Sequence, residues 1–245
     1  MLKIRGSVAL VTGSNRGLGH AFCEGLLQKG AAKVYAAARN PSMVRLHGVV
    51  PLKLDITSVC DVLRVTHGCE DVTILVNNAG ILRDSPMLGA QTEAAARQEM
   101  ETNFFGPLAM VQNFAPVLAR NGGGAIVNVL SVASWFANPF MATYCASKAA
   151  AEVLTDAIRM QLRSQGTRVV GVYAGYIDTD MAARVHAPKT DPRQVVERTL
   201  EGLESGADRV FADDRASHIA ARVRTDRDAF YAELQKHWDD RRPEH

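Results

Sequence analysis

Short apolar runs alternate with helix-like segments along most of this chain. The runs have the length of strands and carry few polar residues, which is typical of strands covered on both faces. This alternation predicts βαβ units with right-handed crossovers, and therefore an α/β fold with a doubly wound, mostly parallel sheet and helices on both faces. Ligands of such sheets bind beyond the carboxyl ends of the strands. The predicted strands are residues 8–11, 32–38, 49–54, 73–76, 124–130 and 167–173.

Helical periodicity is clearest over two long segments, residues 93–120 and 144–164. Asp191 followed by Pro192 is typical of an N-cap with a proline in the first turn, and it predicts a helix that ends near Ser205. Shorter helices are predicted at residues 20–29 and 59–68.

The length of 245 residues suits one large α/β domain, so we expect residues 1–245 to form a single domain. Residues 209–212 predict a last strand, and residues 226–245 predict an extra C-terminal helix with a mixed-sign, solvated tail.

Composition excludes several classes of function. Hydrophobic residues make up 47% and charged residues 22%, as in globular proteins. The net charge of +2, with no Lys/Arg stripe, argues against nucleic acid as a partner. No apolar stretch approaches the roughly 20 residues of a membrane helix, and a strand predicted close to the start leaves no room for a signal peptide. The four cysteines lack metal-ligand spacing, so we expect free thiols, no metal site and a cytoplasmic protein.

A glycine-rich turn, beginning at Thr12, separates the first strand from its helix. Its glycines allow a tight turn and close approach of a pyrophosphate to the backbone, while the helix N-terminus offers free N–H groups to the anion. At the start of a βαβ unit, this turn predicts a dinucleotide site. The residues that we expect to bind the cofactor here are Gly13, Ser14, Asn15, Arg16, Gly17, Leu18 and Gly19.

The spacing TGxxxGxG resembles that of the single-domain short-chain dehydrogenases/reductases, a family with the Rossmann fold. The resemblance extends from about Gly6 to Thr179, and more loosely to Asp213. Further signatures of the family follow in order and at the expected spacing. They are Asn77-Asn78-Ala79-Gly80 after the fourth strand, Asn103, Ser131 after the fifth strand, and the YxxxK pair Tyr144 and Lys148.

The chemistry of these side chains agrees with an oxidoreductase. Tyr144 and Lys148 are four residues apart on a predicted helix, so they share a face. A phenol has a pKa of about 10, and a nearby ammonium lowers it, which predicts Tyr144 as the general acid/base. Ser131 would polarise the substrate carbonyl. The resemblance implies that Lys148 also binds the nicotinamide ribose, and that Asn103 holds a water connecting Lys148 to solvent.

The end of the second strand bears on the choice of cofactor. NAD-preferring relatives carry an acidic residue there, but this chain has Arg39, whose planar fork suits a 2′-phosphate. Arg16 lies where NADP-using relatives often carry a second basic residue. Two cations and no acid predict NADP(H) as the cofactor.

The resemblance assigns the remaining cofactor contacts. Asp55 and Ile56 would lie at the adenine, and Thr179 would hold the nicotinamide carboxamide in a PGxxxT-like loop where Ala174 replaces the proline. The other residues expected at the cofactor are Asn77, Ala79, Gly80, Gly175 and Ile177.

Aromatic and methionine side chains flank the predicted catalytic residues and suggest an apolar pocket. The lid between Thr179 and Asp191 is short, so we expect an open site, and we see no arginine placed to bind a carboxylate. A hydrophobic ketone, aldehyde or secondary alcohol is the predicted small-molecule substrate, although these side chains are also compatible with a core or a subunit interface. They are Trp135, Phe136, Phe140, Met141, Tyr176 and Met181.

Alternative functions remain open. The chain is also compatible with a non-catalytic NADP-sensing regulator, and with an NAD-dependent alcohol dehydrogenase. An acyl-carrier-linked 3-ketoacyl reductase would need a basic docking patch, to which Arg184 and Lys189 contribute. We expect a homodimer or homotetramer assembled through residues 93–120 and 144–164.

Overall fold

In a computed structural model, which describes residues 2–241, the strands form one parallel sheet. Its strands are β1 (Val8–Thr12), β2 (Lys33–Ala38), β3 (Val50–Lys53), β4 (Ile74–Asn77), β5 (Ala125–Val129), β6 (Arg168–Tyr173) and β7 (Arg209–Phe211). Within the described residues the sheet has seven strands in the order β3-β2-β1-β4-β5-β6-β7, and each pairing of neighbours is parallel. The predicted doubly wound sheet is confirmed, with boundaries within one or two residues of the prediction.

Helices cover both faces of the sheet. They are α1 (Gly17–Gln28), α2 (Val59–Gly68), α3 (Thr92–Met100), α4 (Gly106–Arg120), α5 (Ala142–Gln161), α6 (Pro192–Ser205), α7 (Asp214–Thr225) and α8 (Arg227–Asp239). Successive residues of β1 alternate between two buried layers: Ala9 and Val11 pack with α1 and α6, while Leu10 packs with α2, α4 and α5. Two-sided burial explains why the central strands are nearly all apolar.

The edge strand β3 departs from this rule. The sequence predicts it as an apolar run covered on both faces, but most of its residues are exposed, with Val50 at 41%. It is the edge strand of the sheet, and β2 is its one neighbouring strand among the described residues.

The long helix predicted over residues 93–120 is interrupted at its centre. Between α3 and α4, residues Glu101–Phe105 form a π-helical turn with wider i→i+5 bonding. Asn103 lies in this turn and is buried. The predicted N-cap Asp191 is found, since its side chain accepts a bond from Arg193 N at 2.8 Å in the first turn of α6.

The C-terminal part contains both predicted elements, β7 and α8, and one unpredicted helix, α7. α7 and α8 contribute to a third apolar cluster, in which Ile219 and Phe230 pack against Leu130 and Tyr173. α7 and α8 therefore stand beside the carboxyl ends of β5 and β6. Residues 242–245 of the predicted tail lie outside the described part of the chain, and no helix within residues 2–241 is long and apolar enough to cross a membrane.

Candidate active site

A cavity of about 1680 Å³ opens at the carboxyl ends of the strands, where the topology predicts a ligand site. It brings together residues that are far apart in the sequence, from the glycine turn to the loop after β6. Of the residues predicted to bind the cofactor or to act in catalysis, the following line it: Gly13, Asn15, Arg16, Gly17, Leu18, Gly19, Arg39, Asp55, Ile56, Ala79, Gly80, Ser131, Tyr144, Lys148, Gly175, Ile177 and Thr179.

Two predicted cofactor residues, Ser14 and Asn77, lie elsewhere. The Ser14 hydroxyl donates to Val11 O at 2.6 Å and its backbone N–H donates to Ala37 O at 3.0 Å, so both groups are used inside the turn. Asn77 ends β4 with its side chain turned into the protein, where Nδ2 donates to Asn128 Oδ1 at 2.9 Å. Both side chains therefore lie away from the cavity wall, because strand alternation and the tight turn point them inward, and their contact with a cofactor stays a prediction.

The glycine turn has the geometry of a close-approach site. Gly13 and Gly17 have φ of +69° and +54°, a region that favours glycine. A Cβ on Gly19 would stand 2.2 Å from Gly13 O, so this position tolerates no side chain. No side chain caps the N-terminus of α1, which leaves its first N–H groups free to bind an anion.

Asn78, which was not among the predicted site residues, links this turn to the end of β4. Its Nδ2 donates to Thr12 O at 2.9 Å, while the Thr12 hydroxyl accepts bonds from Asn78 N and Ala79 N, both at 3.0 Å. The two glycine-containing motifs therefore form one hydrogen-bonded unit. The signal for Asn78 was present in its motif, but its role is structural support of the turn rather than a contact with the ligand.

Two arginines line the cavity, and one of them, Arg39, lies at its end near β2. Arg39 directly follows β2 and is exposed. Arg16, predicted as a second phosphate ligand, instead forms an ion pair with Asp180 at 2.7 Å, across the cleft from the turn. Both partners are more than two-thirds exposed, so this pair contributes little to stability and can open.

At the same end, Asp55 and Ile56 lie side by side along the cavity wall. Asp55 Oδ1 accepts from Thr57 N at 3.0 Å and from the Thr57 hydroxyl at 2.8 Å, which fixes the carboxylate. Ile56 packs against Gly106, where a Cβ would stand 2.6 Å from Ile56 Cδ1. Thr179 lies against Gly17 of the glycine turn.

Tyr144 and Lys148 project from the first turns of α5 and share the face that borders the cavity. Lys148 Nζ lies 5.7 Å from the centroid of the Tyr144 ring and donates to Val129 O at 2.9 Å. Burial lowers the pKa of Lys148 to about 8. Burial also raises the pKa of Tyr144 above its ordinary value, and the nearby Ser131 hydroxyl only partly opposes this. The pKa of Tyr144 therefore shifts in the direction opposite to the predicted one, because desolvation of the buried phenol outweighs its hydrogen bond with Ser131.

Ser131 follows β5 and lies next to Tyr144 in the cavity wall. Its backbone is extended, and its hydroxyl accepts a bond from Ala133 N at 3.1 Å, which begins a short 3₁₀ turn. The hydroxyl hydrogen remains available to a ligand oxygen, since this contact uses only an acceptor lone pair.

Asn103 lies next to the cavity without lining it. Its Oδ1 accepts from Ile81 N at 2.9 Å, and its Nδ2 donates to Ile81 O and to Ser147 Oγ, both at 2.9 Å. The side chain thus fastens the π-helical turn to the loop after β4 and to α5. Both amide hydrogens are used in these bonds, while Oδ1 keeps one lone pair free, so the contact of Asn103 with a water stays a prediction.

The predicted apolar wall is partly confirmed. Phe136, Met141, Tyr176 and Met181 line the cavity. The other two aromatic residues do not, because the C-terminal elements cover them. Trp135 stacks on Tyr173 with centroids 4.5 Å apart, and Phe140 packs against Trp238 at 5.0 Å.

The two C-terminal helices, α7 and α8, add charged and apolar side chains to the wall of the cavity. α7 contributes Arg215, His218, Ile219 and Arg222 to the cavity wall, and α8 contributes Phe230, Glu233 and Leu234. The short lid therefore does not leave the site as open as predicted, since a helical pair stands over it. Arg215 and Arg222 line the cavity although the sequence did not place them there, because α7 was not predicted.

Comparisons with known proteins agree with this geometry. A family model described as short chain dehydrogenase matches residues 7–190. A short chain dehydrogenase from Burkholderia cenocepacia J2315, solved in complex with NADP, is 45% identical, with a TM-score of 0.91 over 95% of this chain and 99% of that one.

Curated relatives are more distant. A 3-oxoacyl-[acyl-carrier-protein] reductase FabG from Vibrio cholerae is 32% identical over 74% of this chain and 77% of that protein. A dehydrogenase/reductase SDR family protein 7-like from Anopheles gambiae is 32% identical over 73% of this chain, and the match spans 62% of that longer relative. With the family model covering most of the chain and the site motifs in one cavity, the protein belongs to the short-chain dehydrogenase/reductase family of oxidoreductases.

Proposed function

We propose that this protein transfers a hydride between NADP(H) and the carbon of a ketone, an aldehyde or a secondary alcohol with apolar substituents. The observation that carries the proposal is the convergence of Ser131, Tyr144 and Lys148 on the cavity that the glycine turn also lines. The NADP complex of the Burkholderia cenocepacia relative supports the choice of cofactor.

The residues present fit the cofactor. The glycine cradle and the uncapped N-terminus of α1 suit the pyrophosphate, and the exposed Arg39 guanidinium suits a 2′-phosphate. Asp55 and Ile56 would lie at the adenine, and Thr179 at the nicotinamide end. When bound, the cofactor supplies or accepts the hydride.

The side chains of the site would handle the proton and the developing charge. Because burial keeps Tyr144 protonated at neutral pH, its hydroxyl can donate a proton to the oxygen of a carbonyl that is being reduced. Ser131 would donate a hydrogen bond to the same oxygen and stabilise its negative charge. Lys148 would place a positive charge beside the tyrosine and would bind the cofactor ribose.

Phe136, Met141, Tyr176 and Met181 give this part of the cavity an apolar wall, which supports a substrate with a hydrophobic body. A second candidate is a 3-ketoacyl thioester carried by an acyl carrier protein, and the FabG relative from Vibrio cholerae favours it. We also propose a homo-oligomer assembled through α4 and α5, and a location in the cytoplasm, which the free thiols among the described residues support.

The function is tested by NADPH oxidation with a panel of aryl ketones, aliphatic aldehydes and a 3-ketoacyl thioester. Replacing the acid, Tyr144→Phe, should lower kcat by about 10²- to 10⁴-fold while NADPH still binds. Tyr35→Phe is the matched control, since that hydroxyl contacts Asp71 and does not line the cavity.

The cofactor preference is tested in the same assay. Arg39→Asp should weaken NADPH far more than NADH, and equal losses would refute the phosphate role of Arg39. Tight NADPH binding with no turnover of any panel member would instead identify a cofactor-sensing regulator.

A further inference from the structure

The side chain of Asp213, which is only 4% exposed, fixes α7 to the loop that follows β6. Its Oδ2 accepts from Gly175 N at 2.8 Å and from Thr190 Oγ1 at 3.3 Å, and its Oδ1 accepts from Ala216 N at 2.7 Å. One buried carboxylate thus caps α7 and holds it to the segment that follows β6. The residues of the first turn of α7 therefore have a defined position at the cavity.

Arg215 lies in this first turn, and its side chain is held on two sides. Its aliphatic part packs on Gly175, where a Cβ would stand 2.6 Å from Arg215 Cδ. Its guanidinium lies 4.7 Å from the centroid of the Tyr176 ring, a cation–π contact. Both Arg215 and Tyr176 line the cavity, so this cation–π pair forms part of the wall that a bound substrate would contact.

The charge of Arg215 has no acidic partner within residues 2–241, since no carboxylate oxygen lies within 4.0 Å of its nitrogen atoms there. Arg222, two turns later on the same face of α7, provides the contrast. It is neutralised by Glu233 of α8 through two bonds of 2.8 Å. A guanidinium that rests on an aromatic ring still directs its N–H edge sideways, where it can bind a planar carboxylate through two parallel bonds.

The position of Arg215 relates it to the proposed reaction. Val132, the residue after Ser131, donates its N–H to Ala174 O at 3.1 Å, and Gly175 follows directly. Neighbouring strands are about 5 Å apart, so Gly175, on which the Arg215 side chain packs, lies close to Ser131. Ser131, Tyr176 and Arg215 therefore border the same end of the cavity.

We propose that Arg215 binds a carboxylate of the substrate, a few atoms away from the reacting carbon that Ser131 and Tyr144 contact. The substrates would then be oxo acids or hydroxy acids, with an apolar substituent against Tyr176 and Phe136 and a charged end at Arg215. This inference rests on the proposed oxidoreductase function and narrows its substrate class.

The test compares two ketones of the same skeleton, 4-oxo-4-phenylbutanoate and its uncharged amide, in NADPH oxidation. The wild-type protein should prefer the carboxylate in kcat/KM. Arg215→Met keeps an unbranched side chain over Gly175 but removes the charge, and it should lower the carboxylate-to-amide ratio of kcat/KM by about 10- to 100-fold, mainly through KM. Arg215→Lys, which keeps a charge without the fork, should restore part of the ratio.

The matched control is Arg224→Gln, on the same helix but outside the cavity wall, and it should leave the ratio unchanged. A wild-type protein without preference for the carboxylate overturns the proposal, as does an unchanged ratio in Arg215→Met.

Failure of the oxidoreductase function itself is distinguished by binding. If neither ketone is reduced, 4-phenylbutanoate and 4-phenylbutanamide are titrated into the protein–NADPH complex, with NADPH fluorescence as the readout. Tighter binding of the carboxylate that is lost in Arg215→Met supports the anion site without turnover. Equal binding of the two ligands overturns it.

Discussion

Lys148 and Tyr144 illustrate how burial sets the chemistry of single residues. The same desolvation opposes both charges, so Lys148 loses its proton more easily than an ordinary lysine and Tyr144 keeps its proton more firmly. The folded pKa of Lys148, about 8, lies below the ordinary value of 10.5, so the unfolded chain binds more protons between these values. The contribution of Lys148 to the free energy of unfolding therefore rises with pH across this window, while its positive charge is lost.

This shift predicts the pH dependence of the reaction. The kcat/KM for NADPH, which reports groups of the free enzyme, should fall as pH rises through about 8, because Lys148 becomes neutral while Tyr144 stays protonated. Lys148→Arg keeps its charge over the whole range, so its remaining activity should show no inflection there. Profiles measured from pH 6 to 10 check this, and an inflection near 8 that persists in Lys148→Arg would contradict the assignment.

At the scale of elements, the π-helical turn and α7 show how helices place functional groups. The turn Glu101–Phe105 is fastened by Asn103 to two neighbouring segments, including α5, which carries Tyr144. α7 is fastened in a similar way by Asp213. In both cases a buried polar side chain, rather than apolar packing alone, fixes the position of a helix at the cavity.

The role of Asp213 can be measured against a second N-cap. Asp213→Ala should cost about 2–4 kcal/mol in free energy of unfolding, because it removes a cap and leaves buried N–H groups without an acceptor. It should also raise the KM for the ketone, since α7 forms part of the substrate wall. The control is Asp226→Ala, the exposed N-cap of α8, which should cost only about 1 kcal/mol.

Urea unfolding and steady-state kinetics give both quantities for Asp213 and its control. Equal losses of stability in the two variants, or an unchanged KM in Asp213→Ala, would show that the bonds from Asp213 to the loop after β6 do not position α7.

The whole molecule presents apolar side chains that its own fold does not cover. On α5, Val153 is 69% and Met160 is 73% exposed. Apolar side chains left exposed on one helix are typical of a subunit contact. They support the proposed assembly through α4 and α5.

The assembly is tested by Val153→Glu combined with Met160→Glu. Because a buried, unpaired carboxylate opposes association, these changes should weaken self-association by roughly tenfold or more. Val59→Glu, at a residue on α2 that is 70% exposed, is the control and should leave the oligomer intact. Light scattering after size-exclusion chromatography reports the mass. A monomeric wild-type protein, or equal effects of both substitutions, would contradict the assignment of this surface.

The sequence by itself determined how strands and helices follow one another along the chain up to α6, where the glycine turn lies, and that Tyr144 and Lys148 share a helix face. These follow from short-range patterns: the periodicity of apolar residues, glycines at required backbone angles, and a spacing of four on a helix. α7 could not be predicted from such patterns. It lies in a charged segment and its only buried residues are Ala216 and Ile219, so its sequence shows almost no apolar periodicity.

Only the tertiary structure decided which side chains face the cavity and what charge they carry. It turned Asn77 inward, paired Arg16 with Asp180, and packed Trp135 against Tyr173 of β6 and Phe211 of β7. It also raised the pKa of Tyr144 and placed Arg215 on Tyr176. Each result depends on contacts between segments distant in the chain, and both desolvation and ion pairing are set by such contacts, which local sequence patterns do not encode.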